Sequence, residues 1–299
     1  MFGRLYLRDG DYENGLKMIE VVIQEALRIK DFDLAYDGYR QMFCFCMNTL
    51  DIENMRQNIE AAFQIAGPEG DPGKMAILKR LNGYLYLMEG RYEESETCLR
   101  QAIVEFKNLE QYDRYVINIA ASYYFLGENH RRRAQFDRAL HYFTKGIGLC
   151  EGKEWLKGLA VIYAAASQAA YELGRKPEAQ DLAERAIHAY CRHDQIWGKS
   201  IAYSMRGLLS LESGKISQAL ADIAQAEAAA TVLRNPYEIG LVNTVKAEIC
   251  YRLGRETEGL TPAGAYGEEM LETYGHLALE CFQGLTGCYE AERLKLLLV

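Results

Sequence analysis

Small residues return in phase along this chain, and apolar positions at helical spacing run between them, a pattern that predicts antiparallel helix pairs rather than strands. Glycine followed by a helix-opening segment recurs as Gly10-Asp11-Tyr12, Gly90-Arg91-Tyr92, Gly174-Arg175-Lys176, Gly214-Lys215-Ile216 and Gly254-Arg255-Glu256. The last three of these glycines are 40 residues apart. Degenerate copies at Thr49-Leu50-Asp51 and Ala134-Gln135-Phe136 complete the series. Turns are therefore expected near 10, 50, 90, 134, 174, 214 and 254, with one four-residue insertion between 90 and 134.

The flanking residues say what each turn joins. Five residues past it stand Gly15, Met55, Ser95, Ala139, Ala179, Ala219 and Gly259, and seven further on Val22, Ala62, Ala102, Gly146, Ala186, Ala226 and Tyr266. Seven residues before it stand Gly83, Gly127, Ser167, Gly207 and Ala247, with Phe43 as the exception. Small side chains at these places let two helices approach closely, while Leu99, Phe143 and Ile223 fill the space between them. Glycine at the turn suits a helix C-terminus, where the left-handed conformation carries no Cβ penalty.

Over roughly residues 1–260 this arrangement resembles the tetratricopeptide repeat family. The clearest copies are Gly83-Tyr84-Leu85-Tyr86 with Gly90-Arg91-Tyr92-Glu93-Glu94-Ser95 and Ala102, and Leu126-Gly127 with Phe136-Asp137-Arg138-Ala139-Leu140 and Phe143. The spacing of 40 exceeds the family's usual repeat, and in this it is similar to the sensor regions of bacterial regulators. The resemblance implies an all-α, right-handed α-solenoid of about seven helix–turn–helix repeats over 1–266, closed by irregular C-terminal helices over 267–299. It also implies that the first helix of each repeat lines a concave groove. In this frame the lining residues are Arg40, Met47, Arg80, Tyr84, Tyr124, Glu128, Arg131, Gln168, Tyr171, Leu208, Thr244, Glu248 and Tyr251. The mixture of arginine, tyrosine, amide and aliphatic side chains suits a peptide, with Arg40, Arg80 and Arg131 placed to receive an acidic side chain or a chain terminus. Packing between neighbouring repeats is the other role open to the tyrosines.

The function so implied is a non-enzymatic protein- or peptide-binding module, the sensing region of a bacterial regulator. A structural scaffold that self-associates through its ends or convex face is the alternative. The short run before Gly10 and the apolar Leu294-Lys295-Leu296-Leu297-Leu298-Val299 suggest either a fragment of a longer regulator, with a DNA-binding or ATPase domain in the same parent chain, or ends that pack on a second copy as a homodimer. Pro262 is expected to break the second helix of the last repeat, leaving helices from about Gly267 to Tyr274 and from about Leu277.

Composition narrows the function further. A net charge of −8 disfavours direct nucleic-acid contact, since phosphate binding needs clustered Lys and Arg. No long uncharged apolar run predicts a membrane span, and eight dispersed cysteines without a CxxC pair read as reduced thiols in a cytoplasmic protein. Cys191 and His193, with His188 nearby, match no zinc spacing and are expected in a loop after a helix. Neither a nucleophile elbow nor a phosphate loop nor a dinucleotide fingerprint occurs, so no cofactor and no catalytic residues are expected. The paired acids Glu93-Glu94 and Glu268-Glu269 are expected at helix starts, where carboxylates face the positive end of the dipole. The basic run His130-Arg131-Arg132-Arg133 is expected at a helix C-terminus, offsetting the dipole there, with the clamping of a carboxylate or phosphate as the second possibility.

Overall fold

The computed structural model describes residues 12–67, 70–151, 156–192, 197–256, 268–283 and 289–298. Among them are fourteen α-helices, one short 3-10 helix and no strand. The chain divides into two compact units, Met1–Asn129 and His130–Val299, with the division near the end of one helix.

The first unit contains α1 (Tyr12–Arg28), α2 (Phe32–Thr49), α3 (Ile52–Ala66), α4 (Pro72–Met88), α5 (Tyr92–Asn108), a 3-10 turn (Tyr112–Tyr115) and most of α6 (Val116–Arg132). The four-residue insertion is absorbed in this 3-10 turn and its flanks. Three aspartates spaced by 20 residues open the helices: Asp31, Asp51 and Asp71 each accept a hydrogen bond from the amide three residues on, at Leu34, Asn54 and Lys74. Glu93 and Glu94 sit in the first turn of α5, as their charge predicts.

The second unit contains α7 (Phe136–Cys150), α8 (Leu156–Glu172), α9 (Lys176–Arg192), α10 (Lys199–Glu212), α11 (Ile216–Leu233), α12 (Pro236–Glu256), α13 (Glu268–Cys281) and α14 (Tyr289–Leu297). The hairpin pairs α8–α9, α10–α11 and α12–α13 stack so that α8, α10 and α12 are successive neighbours.

Each described hairpin turns by the same local chemistry. At Gly90 (φ 74°) the amide of Arg91 reaches back to the carbonyl of Tyr86, and at Gly174 and Gly214 the amides of Arg175 and Lys215 reach Ala170 and Ser210 in the same way. Leu50 (φ 54°) and Ala134 (φ 55°) adopt the left-handed conformation without being glycine, and Asp51 and Gln135 make the matching bonds to Cys46 and His130. Gly10 lies outside the described residues. Gly254 does not turn: α12 continues through it to Glu256, and residues 257–267, with Pro262 and the expected boundary near 266, lie outside the described residues. The helices expected to separate between Tyr274 and Leu277 are one helix, α13. Gly275 within it leaves room for Leu298, which would lie 2.6 Å from a Cβ there.

Small residues produce the close packing that their phase predicts. Ser95, Ala139, Ala179 and Ala219 are fully buried, as is the larger Met55, the exception at this position. A Cβ on Gly83 would lie 2.7 Å from Cγ of Leu99, and one on Gly207 would lie 3.2 Å from Cδ1 of Ile223. Two serines add a hydrogen bond across the hairpin: Ser95 Oγ donates to the Gly83 carbonyl at 2.7 Å, and Ser167 Oγ to the Ala179 carbonyl at 2.8 Å. Phe43, the exception in the small-residue series, is fully buried and starts an aromatic ladder. Its ring meets Tyr84 edge-on at 6.4 Å, and Tyr84 lies 4.9 Å from Phe125. No helix among the described residues is long and apolar enough to cross a membrane.

Candidate functional site

All thirteen expected lining residues lie on first helices of their hairpins: α2, α4 and α6 in the first part of the chain, then α8, α10 and α12. The two units offer different chemistry.

In the first unit the central side chain is Arg80 on α4. Its guanidinium carbon stands 6.0 Å from the Phe125 ring, at the end of the aromatic ladder. Its Nε is shut off from water, and no hydrogen-bond acceptor among the described residues reaches it. Burial pushes the guanidinium below its usual range, and the positive charge of Arg40 on α2 pushes the same way, while Cys44 and Tyr36 oppose them. Arg40 is held to Asp37 at 3.2 Å on its own helix. Tyr36 donates its hydroxyl to the Lys74 carbonyl at 3.2 Å, and Lys74 in turn pairs with Asp33 at 2.5 Å. Asp37 and Asp33 are thus engaged by other cations, and no ion pair to Arg80 occurs among the described residues. Tyr84, Tyr124 and Glu128 are buried, with Tyr124 tilted against Phe125 at 5.2 Å, and Met47 is partly covered. Tyr84 packs between neighbouring helices, with Phe43 on one side and Phe125 on the other.

In the second unit the short helix α14 lies against α8 and α12. Glu290 is the centre of that contact. It accepts hydrogen bonds from Arg131, from the Tyr237 hydroxyl at 3.1 Å and from Gln168 at 3.4 Å. One turn later Arg293 donates to Glu172 at 2.6 Å and to Glu248 at 2.8 Å, and the Tyr289 hydroxyl donates to Glu172 at 3.0 Å. The Tyr289 ring also meets Phe136 edge-on at 5.1 Å. The network extends past α14. Glu248 pairs with Arg252, which donates to Glu212 at 2.8 Å and to the Tyr171 hydroxyl at 3.2 Å, and Lys176 reaches Glu212 at 2.9 Å. Burial raises the carboxyl of Glu172, against the opposing pull of Arg293. Burial acts on Glu212 as well, but hydrogen bonds from Lys176, Arg252 and Tyr171 outweigh it and hold that carboxyl below the usual range.

Arg131, Gln168, Tyr171 and Glu248 therefore belong to one polar network. Leu208 is buried, Thr244 ties its hydroxyl to the Gly240 carbonyl at 2.9 Å within α12, and Tyr251 is partly covered. The basic run stands where expected, in the last turn of α6, and it is buried there: His130 stacks on Tyr142 at 5.2 Å and Arg132 lies over Tyr237 at 4.7 Å. The carboxylate that Arg131 clamps comes from the same chain. His188 and Cys191 stand within α9 rather than in a loop, and His193 lies outside the described residues. No group of three or more potential metal ligands occurs among the described residues.

Sequence reasoning missed Tyr289, Glu290 and Arg293, together with Tyr237, Glu172 and Arg252. The spacing Glu290-x-x-Arg293 was a signal, since an acid and a base one turn apart share a helix face. Nothing in it named the opposite charges that face them.

No family model matches the chain, and no curated protein matches it. Among solved structures, a Rap protein complexed with competence and sporulation factor is similar with a TM-score of 0.64 and 16% identity, over 97% of this chain and 79% of that one. Aspartyl phosphate phosphatase F from Bacillus subtilis has a TM-score of 0.58 and 12% identity, over 99% and 91%. The Rap conjugation gene regulator of the plasmid pLS20, in complex with the Phr* peptide, has a TM-score of 0.54 and 13% identity, over 95% and 76%. With small residues in phase at its hairpin contacts and these structural neighbours, the chain has an all-α fold of tetratricopeptide-like helical hairpins.

Proposed function

We propose that this chain is a non-enzymatic peptide-binding module, the sensing region of a cytoplasmic bacterial regulator, and that its first unit receives a carboxylate of the ligand at Arg80. The observation that carries this reading is a guanidinium on a first helix whose Nε is buried without an acceptor, beside a second arginine and an aromatic ladder. Arg80 is partly covered, and a guanidinium N–H enclosed without an acceptor is costly; an arriving carboxylate would relieve that cost through two parallel N–H···O bonds. Phe43, Tyr84 and Phe125 supply rigid apolar surface beside it. Two structural neighbours are complexes, one with competence and sporulation factor and one with the Phr* peptide, which supports a ligand-binding reading of this fold.

The test is a fluorescence-polarisation panel of labelled five- to ten-residue peptides, each made with a free and with an amidated C-terminus and with or without Asp or Glu. Carboxylate-bearing members are expected to bind, and Arg80→Gln is expected to weaken them at least tenfold while leaving the melting temperature unchanged or slightly raised. Equal binding by the variant, or a panel in which nothing binds, would reject the reading. A fall in melting temperature would assign Arg80 to the scaffold instead.

A further inference from the structure

We infer that the face of α8 and α12 in the second unit, with Arg131 beside it, is a binding site for a helix that presents a carboxylate one turn ahead of a guanidinium, and that α14 occupies this site as a displaceable guest from the same chain. The inference concerns the second unit alone and does not rest on the role of Arg80.

The receiving face is an ordered row of charge. Arg131 offers a cation, with the Tyr237 hydroxyl and the Gln168 amide completing a three-donor cradle around one carboxylate. Glu172 and Glu248, from two different first helices, offer a pair of carboxylates that close on one guanidinium from both sides. The two subsites are matched by residues 290 and 293, which a helix places on the same face three positions apart. Tyr289 fills the adjoining place, with its ring on Phe136 and its hydroxyl on Glu172.

The way α14 is held distinguishes a guest from a core element. It has nine residues, too few for a helix to persist in water without its contacts. Glu290 and Leu294 are buried, Leu298 just beyond the helix packs on Gly275 of α13, and Lys295 and Leu296 point to solvent, so directional polar bonds set its register while a small apolar contact adds to its hold. The repeats beneath are closed by their own small-residue contacts, which α14 does not share: Ser167 bonds Ala179, and Gly207 receives Ile223. A segment held by side-chain complementarity, on first helices that pack together without it, can exchange with another segment of the same pattern. The partner is therefore a helix of the form aromatic-acid-x-x-arginine-leucine, supplied by another protein.

The probe is a fluorescein-labelled synthetic peptide of residues 289–299, titrated into the full chain. The wild-type chain is expected to bind it weakly, because the site is filled. The full chain carrying Glu290→Arg and Arg293→Glu turns its own helix against Arg131, Glu172 and Glu248, and is expected to bind the wild-type peptide at least tenfold more tightly. A peptide carrying Arg293→Glu should fail to bind that chain. Equal weak binding to both chains, or equal binding of both peptides, would overturn the inference. Should the doubly substituted chain lose its cooperative melting transition, full-length Leu294→Ala, which weakens a fully buried apolar anchor of α14, repeats the titration. Loss of folding in that variant as well would make α14 integral to the fold and would equally overturn the inference.

Discussion

Arg131 and Glu290 are separated by 159 residues in the chain and form an ion pair in which the side chains are only 1% and 5% exposed. A pair this deep recovers its desolvation cost only if both charges are further satisfied, and here Tyr237 and Gln168 supply the additional donors to Glu290.

Were α14 fixed in place, removing the Glu290 charge would strand a buried guanidinium at a cost of about 3–5 kcal/mol. A helix that can leave offers a cheaper response, because Arg131 is then rehydrated. Glu290→Gln is therefore expected to lower global stability by less than about 3 kcal/mol in urea, since local opening sets the upper limit. The same variant should be cut by trypsin after Arg293 at least ten times faster than the wild type, as followed by intact-mass analysis. A full loss of stability without faster cleavage would show that α14 stays seated.

Glu238 gives a pH dependence with a definite sign. The carboxylate at the start of α12 is fully enclosed, accepts the Gly198 amide at 2.9 Å and the Ser200 hydroxyl, and is pushed up to about 7 by burial, from an ordinary value of 4.5. The folded chain thus binds this proton more tightly than the unfolded chain does. Its contribution to stability is fully present below pH 4.5, declines as pH rises towards 7 and stays constant above that. Glu238→Gln keeps an acceptor without the charge and should flatten this part of the curve. It should be more stable than the wild type by about 1–3 kcal/mol at pH 8 and nearly equal to it near pH 4.5, as read from urea midpoints.

Glycine has opposite consequences at two positions of the hairpin. Gly83→Ala drives a methyl group to 2.7 Å from the Leu99 branch carbon, next to its backbone, and is expected to cost about 1–3 kcal/mol through overpacking. At the exposed turn, Ala134 holds φ 55°, where glycine stands in the copies at 90, 174 and 214. Ala134→Gly should raise stability by up to about 1 kcal/mol by relieving the left-handed strain. Thermal and urea unfolding of the two variants check both signs, and a stabilising Gly83→Ala would refute the close-packing account.

Helical hairpins, their 40-residue phase and the small-residue contacts between paired helices were legible in the sequence. Each rests on residues a few turns apart, so the pattern that packs one hairpin is repeated in the next and reinforces itself along the chain. Even the turns without glycine at Leu50 and Ala134 were found by phase alone. Phe43 departed from that pattern because its partner, Tyr84, belongs to the following hairpin. The turn placed at Gly254 failed because glycine permits a helix to end but does not require it, and α12 continues to Glu256. Thirteen lining residues could be named from the repeat frame, but not which of them meet a partner. Arg80 is distinguished from Arg131 only by what stands opposite. One has a buried Nε without an acceptor, and the other meets a carboxylate carried in from the end of the chain. Periodicity records which face of a helix turns inward, because that depends on neighbours in sequence. Which charge it meets depends on where distant segments of the chain come to lie, and only the tertiary structure decides that.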